Sequence, residues 1–520
     1  MGKAKPRARQ KERKQAEIKK ASFFQKHGNM LFWCLFGVIL LFSFWNVFRG
    51  LSIAPLFDWD ESRHGVSAWE MLQSGDYLVQ TYQGEVDYWN LKPPLSFWPM
   101  ALGYRLFGVN ALGLRFFSAL SLPLCCAGAM LLIRRHSGKA AALCTGFLFA
   151  LTGVQFNHLF LHGDADAVLF LFYFFALLFF YLSYAEKSVF LIGTGIFTAC
   201  AFLAKAAHAG VLIVVLLLSM LILRREKSFS IIEFGLFFAL PMVSPILLWC
   251  YFRWKYDGFS FLQQMLFTDI ISRTTSELES NARGGTYYLK EFSRALGPLL
   301  FVLFICILVA CLLILFLNKK SIKKMDKVFI CVYSLMAIVP IALYSLAVTK
   351  LSWYVWPAFI GFIMLTGWLI GFLLRLHVQA NSSKNQGTLE QGVLVIMGLA
   401  ILLAIGVMPN RFAMQKYYDT STIFPENCIF LDLPNDMATP STYIALNTDG
   451  SRANLPQSWV LQGIFSGYYQ APDSNGDNGA ANPLLLVHYS SASDLEAFQQ
   501  AHPDYSIFAN GKSYVLMSVE

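Results

Sequence analysis

The sequence predicts an all-α polytopic membrane protein with a small α/β domain at its C-terminal end. Three observations carry that prediction. Hydrophobic residues make up 56% of the chain and charged residues 14%, where a soluble chain holds roughly a quarter charged; the mean hydropathy is +0.50. Apolar runs of about twenty residues, long enough to cross a bilayer, recur through most of the chain. Beyond residue 409 the composition turns to Asn, Ser, Pro and Asp, with short β-prone runs at Cys428–Leu433, Ser458–Ile464, Leu484–Tyr489 and Tyr514–Ser518 and one expected helix near Ser493–Ala501.

The first element is a basic N-terminus. Residues 1–30 hold ten Lys/Arg against Glu12 and Glu17, a net of +8, whereas from Arg411 onward four Lys/Arg face eleven Asp/Glu, a net of −7. Such a basic segment before an apolar run reads as a topogenic signal, not a nucleic-acid arm. It is too long and polar for an ordinary signal peptide, and no small-residue cleavage site follows.

Residues 31–408 form the expected membrane core. Eleven transmembrane helices are expected at 31–49, 111–133, 140–158, 165–184, 189–205, 208–223, 231–252, 296–317, 328–348, 353–375 and 392–408. The fifth and sixth are one long run interrupted by Lys205, His208 and Gly210. With the N-terminus cytoplasmic, the short basic loops at Arg134/Arg135/Lys139, Lys187, Arg224/Arg225/Lys227, Lys319–Lys327 and Arg375/Lys384 all fall on the cytoplasmic side, as the positive-inside rule requires. Outer loops are then 50–110 and 253–295, and 409–520 is an extracytoplasmic domain. Residues 376–391 read as a polar cytoplasmic loop. Nine of the ten cysteines lie in apolar runs and only Cys428 in the tail, so they behave as small hydrophobes and leave no metal spacing.

Given this topology, the unusual charges gather at one face. Asp58, Asp60, Glu61, Arg63 and His64 begin the first outer loop and Lys92 follows; His162, Asp164 and Asp166 sit between helices three and four; Lys205 and His208 lie at the fifth–sixth hairpin; Lys350 lies between nine and ten. Charge at membrane depth is costly and marks active sites or pathways. Transfer from a phosphate-linked donor suits this set. Arg63, Lys92, Lys205 and Lys350 can hold a phosphate and offset the charge on it as it leaves. Asp60 can take the proton of an incoming hydroxyl, and Asp164 with Asp166 can hold a divalent cation, Mg2+ or Mn2+. His64, His158 and His162 fit no standard zinc spacing. P-loop, dinucleotide and serine-elbow motifs are absent, so no organic cofactor is expected.

Three elements follow in order in the first outer loop: Asp60-Glu61-Ser62-Arg63, Glu70-Met71-Leu72-Gln73-Ser74-Gly75-Asp76-Tyr77 and Lys92-Pro93-Pro94-Leu95. With them the loop resembles that of the aminoarabinose transferase and protein O-mannosyltransferase family. GDADAVLFLF resembles the family's second acidic motif, with Asp166 the match to its functional Asp. FLAKAAHAG resembles its Phe-Leu-x-Lys-Gly segment with Ala206 in place of Gly, and KLSWYVWPAF its Lys-Leu-x-Trp-Tyr-x-x-Pro segment. ISRTTSELESNARGGTYYL resembles the loop before the eighth helix, lacking a histidine that some relatives carry.

The resemblance spans roughly residues 31–375 and implies a C-type glycosyltransferase fold in the bacterial inner membrane. It implies a polyprenyl-phosphate sugar donor, undecaprenyl phosphate in a bacterium, and inversion at the anomeric carbon. Asp60, Glu61 and Asp166 are the catalytic candidates, with Asp60 the base near the acceptor and Asp166 supporting the site or a metal. Arg63, Lys92, Lys205, Lys350 and Tyr354 are the donor-phosphate candidates. Lipid A, another glycolipid, a glycan or a protein all fit as acceptor, through a hydroxyl or a phosphate on the outer face. The alternatives are a transporter, whose site belongs near the bilayer midplane, and a non-enzymatic envelope assembly protein, which leaves the ordered motifs without a purpose.

Overall fold

The computed structural model describes residues 28–52, 56–155, 157–272, 275–276, 282–317, 322–380, 443–450, 457–465, 484–510 and 514–519. The expected eleventh helix (392–408) and nearly all of the basic N-terminus lie outside these, as does the loop beyond Ala380, up to which the preceding helix continues.

In chain order the helices that frame the bundle and the site are α1 (Gly28–Phe48), α2 (Asp60–Ser74), α3 (Trp98–Phe107), α4 (Ala111–Ser137), α5 (Lys139–Gln155), α6 (Asn157–Phe160), α7 (Ala165–Ala185), α8 (Leu191–Ala204), α9 (Ala206–Ile222), α10 (Ile231–Asp257), α11 (Tyr287–Leu296), α12 (Pro298–Leu317), α13 (Lys324–Leu346) and α14 (Ala358–Ala380); a further helical stretch runs over Ser260–Gln264 and Met265–Ser272. All ten expected spans that fall on described residues are helical. Among the described residues eight helical stretches are long and apolar enough to cross a membrane: α1, α4, α7, α9 with the turn after it, α10, α12, α13, and α14 with the turn before it. α8 has 14 residues, a rise of about 21 Å against a hydrocarbon core of about 30 Å. Its run ends at Lys205, whose extended backbone separates it from α9.

Helices α4, α5, α7, α9, α13 and α14 pack through one core rich in Phe, Leu and Ala. α10 and α12 show solvent-accessible Ile231, Leu247, Val302 and Phe316, the aspect of helices whose partner is lipid.

Asp60 and the other motif residues lie at one end of this bundle. At the opposite end Asp326, first turn of α13, gathers its neighbours on one carboxylate oxygen. His136 Nε2 lies 3.0 Å from it, Trp368 Nε1 donates at 2.6 Å and Arg375 Nη2 at 3.0 Å. The Tyr181 hydroxyl is 2.6 Å from His136 Nδ1. This knot ties α4, α7, α13 and α14 together.

Past the membrane helices, α15 (Gln457–Phe465) packs on α2 and α3. Val460, Leu461 and Ile464 share a core with Val66, Met71, Met100 and Tyr104, and the Ser458 N–H donates to Asp58 Oδ1 at 2.7 Å. A Cβ on Gly65 would lie 2.6 Å from Leu461 Cδ2, so the close approach depends on glycine there. A four-stranded sheet, ordered β3 (Tyr443–Asn447), β4 (Leu484–His488), β6 (Tyr514–Val519), β5 (Tyr505–Asn510), completes the described region. β3 and β4 are parallel and the other pairs antiparallel. Helix α16 (Ala492–Ala501) covers it, Phe498 joining Leu485, Val487, Val515 and Met517 in a separate small core. The small α/β region foreseen from the tail is present, but Ser458–Ile464, expected as a β-prone run, lies in helix α15, where its apolar residues face α2 and α3; Cys428–Leu433 lies outside the described residues.

Candidate active site

α2 begins with the acidic pair Asp60 and Glu61, favourable at a helix N-terminus, and ends at Gly75, whose φ of 74° suits glycine. The residue before it, Trp59, has φ 68°; a bulky residue held there is strained. The turn aims Asp60 into a cavity of about 680 Å³.

Pro93 and Pro94 fix the chain after Lys92, Pro94 opening a short turn. Lys92 Nζ thereby sits 3.1 Å from Asp60 Oδ1, 3.0 Å from His64 Nε2 and 4.0 Å from Asp164 Oδ1. Asp164 caps α7 through the Ala165 N–H and lies 3.3 Å from His64 Nδ1. Burial pushes the Asp60 and Asp164 carboxyls up, but Lys92, His64 and Lys205 together outweigh it. Asp60 is held below the usual carboxylate range and Asp164 well below. In the first turn of α7, Asp166 accepts from Lys205 Nζ at 2.7 Å, and that ammonium lies 5.5 Å from the centre of the Tyr354 ring. Lys350 reaches the same cavity, donating to the carbonyls of Arg283 (2.9 Å) and Ala347; burial lowers its pKa.

Of the sequence-predicted residues, Asp60, Glu61, Lys92, Lys205, Lys350 and Tyr354 line the cavity. Asp164 and Asp166 lie behind the lysines, both buried. Glu61 is fully committed: Arg115 grips it at 2.6 and 2.8 Å, and the Gly163 and Phe57 N–H groups donate at 2.8 and 2.9 Å. Its carboxylate fixes α2 to α4 and to the turn before α7, a positioning role instead of the expected reactive one. Arg63 does not line the cavity. It forms a two-point pair with Asp87, both contacts 2.8 Å, between the rings of Tyr82 (4.1 Å) and Trp89 (4.7 Å), in an adjoining hollow of about 320 Å³.

The expected divalent cation meets a poor donor set. Among the described residues no three His, Cys, Asp or Glu side chains gather to hold a metal. Asp164 and Asp166 each face a lysine ammonium already, whereas a hard divalent ion needs several oxygen ligands.

Sequence reasoning missed Arg115 and Asp87. Arg115 carried a signal, an arginine inside an apolar run. Asp87 had none, since its meaning comes from Arg63, 24 residues earlier.

A bundle of membrane-crossing helices with three lysines and a carboxylate around a cavity at one end defines a membrane protein equipped for an anionic headgroup. Residues 91–249 match the family described as dolichyl-phosphate-mannose-protein mannosyltransferase. An uncharacterised protein of Aquifex aeolicus is 38% identical over 110 residues, 21% of each chain, so the match spans about a fifth of that relative. An undecaprenyl phosphate-alpha-4-amino-4-deoxy-L-arabinose arabinosyl transferase of Pseudomonas fluorescens is 36% identical over 89 residues, 17% of this chain and 15% of that one. In fold, the chain is similar to ArnT from Cupriavidus metallidurans bound to undecaprenyl phosphate. The TM-score is 0.58 at 17% identity, covering 93% of this chain and 97% of that one. Part of the chain is thus similar in sequence to the mannosyltransferase family and to arabinosyl transferases, and its fold is similar to that of ArnT.

Proposed function

We propose that this chain moves a sugar from a polyprenyl-phosphate donor, undecaprenyl phosphate, to an acceptor hydroxyl at the outer face of a bacterial inner membrane, with inversion. The observation that carries the reading is the convergence of Lys92, Lys205 and Lys350, from three distant segments, on one cavity walled by Asp60. The N-terminus is cytoplasmic and the α/β region extracytoplasmic, as the basic loops argue.

The donor phosphate lies among the three ammonium groups. The acceptor oxygen attacks the anomeric carbon from the side opposite the phosphate, the C–O bond to phosphate breaks, and its electron pair leaves with the polyprenyl phosphate. The acceptor proton passes to Asp60. Lys92, with His64 and Lys205, holds Asp60 below the usual carboxylate range against burial, which makes it a weak base. Bound phosphate shares the Lys92 ammonium and restores basicity to Asp60 when substrate is present. Leaving-group charge is spread over Lys92, Lys205 and Lys350, a preorganised electrostatic arrangement.

A transporter places its site in broken helices near the bilayer midplane; here the reactive groups stand at helix ends, at the start of α2, α7, α9 and α14. The test has two arms. Purified protein in nanodiscs is given undecaprenyl-phosphate-linked sugar, and release of undecaprenyl phosphate is measured. Envelope lipids and glycoproteins from cells with and without the gene are compared by mass spectrometry. Release of undecaprenyl phosphate and a sugar-mass difference in the envelope are expected; no release with any donor overturns the reading.

A further inference from the structure

The hollow beside the cavity has chemistry the phosphate reading leaves unused. Its floor is a sandwich, the Arg63 guanidinium between Tyr82 and Trp89, with Asp87 holding the guanidinium edge. Its rim is the hairpin of β1 (Thr81–Tyr82) and β2 (Glu85–Val86), whose tip, Gln83–Gly84, and Glu85 are exposed. The hairpin is pinned to α2 because buried Glu70 accepts the Gly84 N–H at 3.1 Å. The lining is aromatic faces and planar hydrogen-bonding groups, with no buried apolar floor.

An arginine–aspartate pair by itself would only brace the hairpin. Bracing does not account for Trp89 and Trp59, left 49% and 64% exposed with ring centres 6.1 Å apart. Nor is the guanidinium available for phosphate, because Asp87 neutralises it and is held below the usual carboxylate range by it, against burial. Burial pushes the Tyr82 hydroxyl up to about 12, so it stays a protonated donor. Aromatic faces beside carboxylate, amide and hydroxyl groups match a pyranose, which offers an apolar C–H face and an edge of vicinal hydroxyls. Position agrees: Trp89 borders both the hollow and the cavity. Arg63 lies three residues after Asp60 on α2, which puts the two side chains about 5–6 Å apart at Cβ on neighbouring positions of the helix.

We infer that this hollow is the acceptor subsite and that the acceptor is a saccharide, whose hydroxyl it presents to Asp60. This rests on the glycosyl-transfer reading above and narrows its acceptor to a sugar-bearing molecule instead of an unmodified polypeptide. Neither Arg63 nor Asp87 takes part in the chemistry; they hold the stacking surface flat.

The test uses full-length protein in lipid nanodiscs without donor, titrated with methyl glycosides and disaccharides of glucose, mannose and glucosamine. Saturation transfer from protein to sugar protons reads binding. Millimolar binding is expected, weakened about tenfold or more in Tyr82→Ala and less in Tyr82→Phe, which keeps the ring. Glu85→Gln, on the exposed rim, guards against a folding artefact and should weaken binding several-fold. Binding of none of the glycosides overturns the inference, as does equal binding by wild type and all three variants. Loss in Lys92→Ala but not Tyr82→Ala places the sugar in the donor cavity and overturns it too, and so does binding of a serine-rich peptide in place of every glycoside. Undecaprenyl phosphate is titrated in parallel: if it fails to bind, the donor reading fails, and if it binds while the glycosides do not, the subsite alone fails.

Discussion

The two ends of the helix bundle each carry a buried ionic cluster, and they differ in kind. At the Asp60 end the cations are lysines, compact charges on flexible stems, facing a large cavity. At the Asp326 end the partners are planar groups, an indole, an imidazole and a guanidinium, all directed at one carboxylate oxygen. Buried charge in a membrane protein is therefore no marker of chemistry by itself. A cluster whose cations can move toward a ligand is suited to work, and one whose geometry is fixed on all sides is suited to hold helices.

The comparison is broken most sharply by a matched pair of substitutions. Asp60→Asn keeps size and should lower transfer about 10²–10⁴-fold, the range for loss of a general base, with unfolding unchanged; turnover near wild type in purified protein removes Asp60 from the mechanism. Asp326→Ala strands Arg375 and His136, and should lower stability by about 3 kcal/mol with the donor KM unaltered in the folded fraction. Thermal unfolding in detergent beside steady-state kinetics separates these signatures, and the ends are equivalent if both variants lose the same property.

A finer contrast concerns Lys92. Lys92→Ala should weaken undecaprenyl phosphate binding about tenfold to a hundredfold, and Lys92→Arg less, because charge is the proposed contribution. Equal losses would point to geometry fixed by the Pro93–Pro94 turn.

The smallest expected effect is pH dependence. Asp87, Asp60 and Asp164 all have lowered carboxyl pKa values in the fold. Their contribution to stability is therefore complete above the ordinary carboxylate value of about 3.9 and is lost as pH falls through their lower folded values. Unfolding temperature should stay flat across neutral pH and fall in strong acid, less steeply in Asp87→Asn.

Much of this was legible in the sequence, for identifiable reasons. Apolar run length located the spans, because lipid leaves the backbone little choice but helix. Asp60, Lys92, Lys205 and Lys350 stood out because charge amid apolar residues is conspicuous. Pairing was not legible. Glu61 reads like Asp60 until Arg115, 54 residues away, is seen to hold it. Arg63 reads like Lys92 until Asp87 is found across it. Nor could residue pattern reveal that the tail helix at Gln457–Phe465 rests on α2.

That last contact sets a schedule for making the protein. A ribosome produces α2 early, yet the partner that covers Val66 and Met100 and fastens Asp58 emerges 400 residues later, on the order of 20–80 s at bacterial elongation rates. Until then the loop bearing Asp60 has one side uncovered. A half-made chain would thus lack a finished wall beside Asp60 until its tail helix has been made.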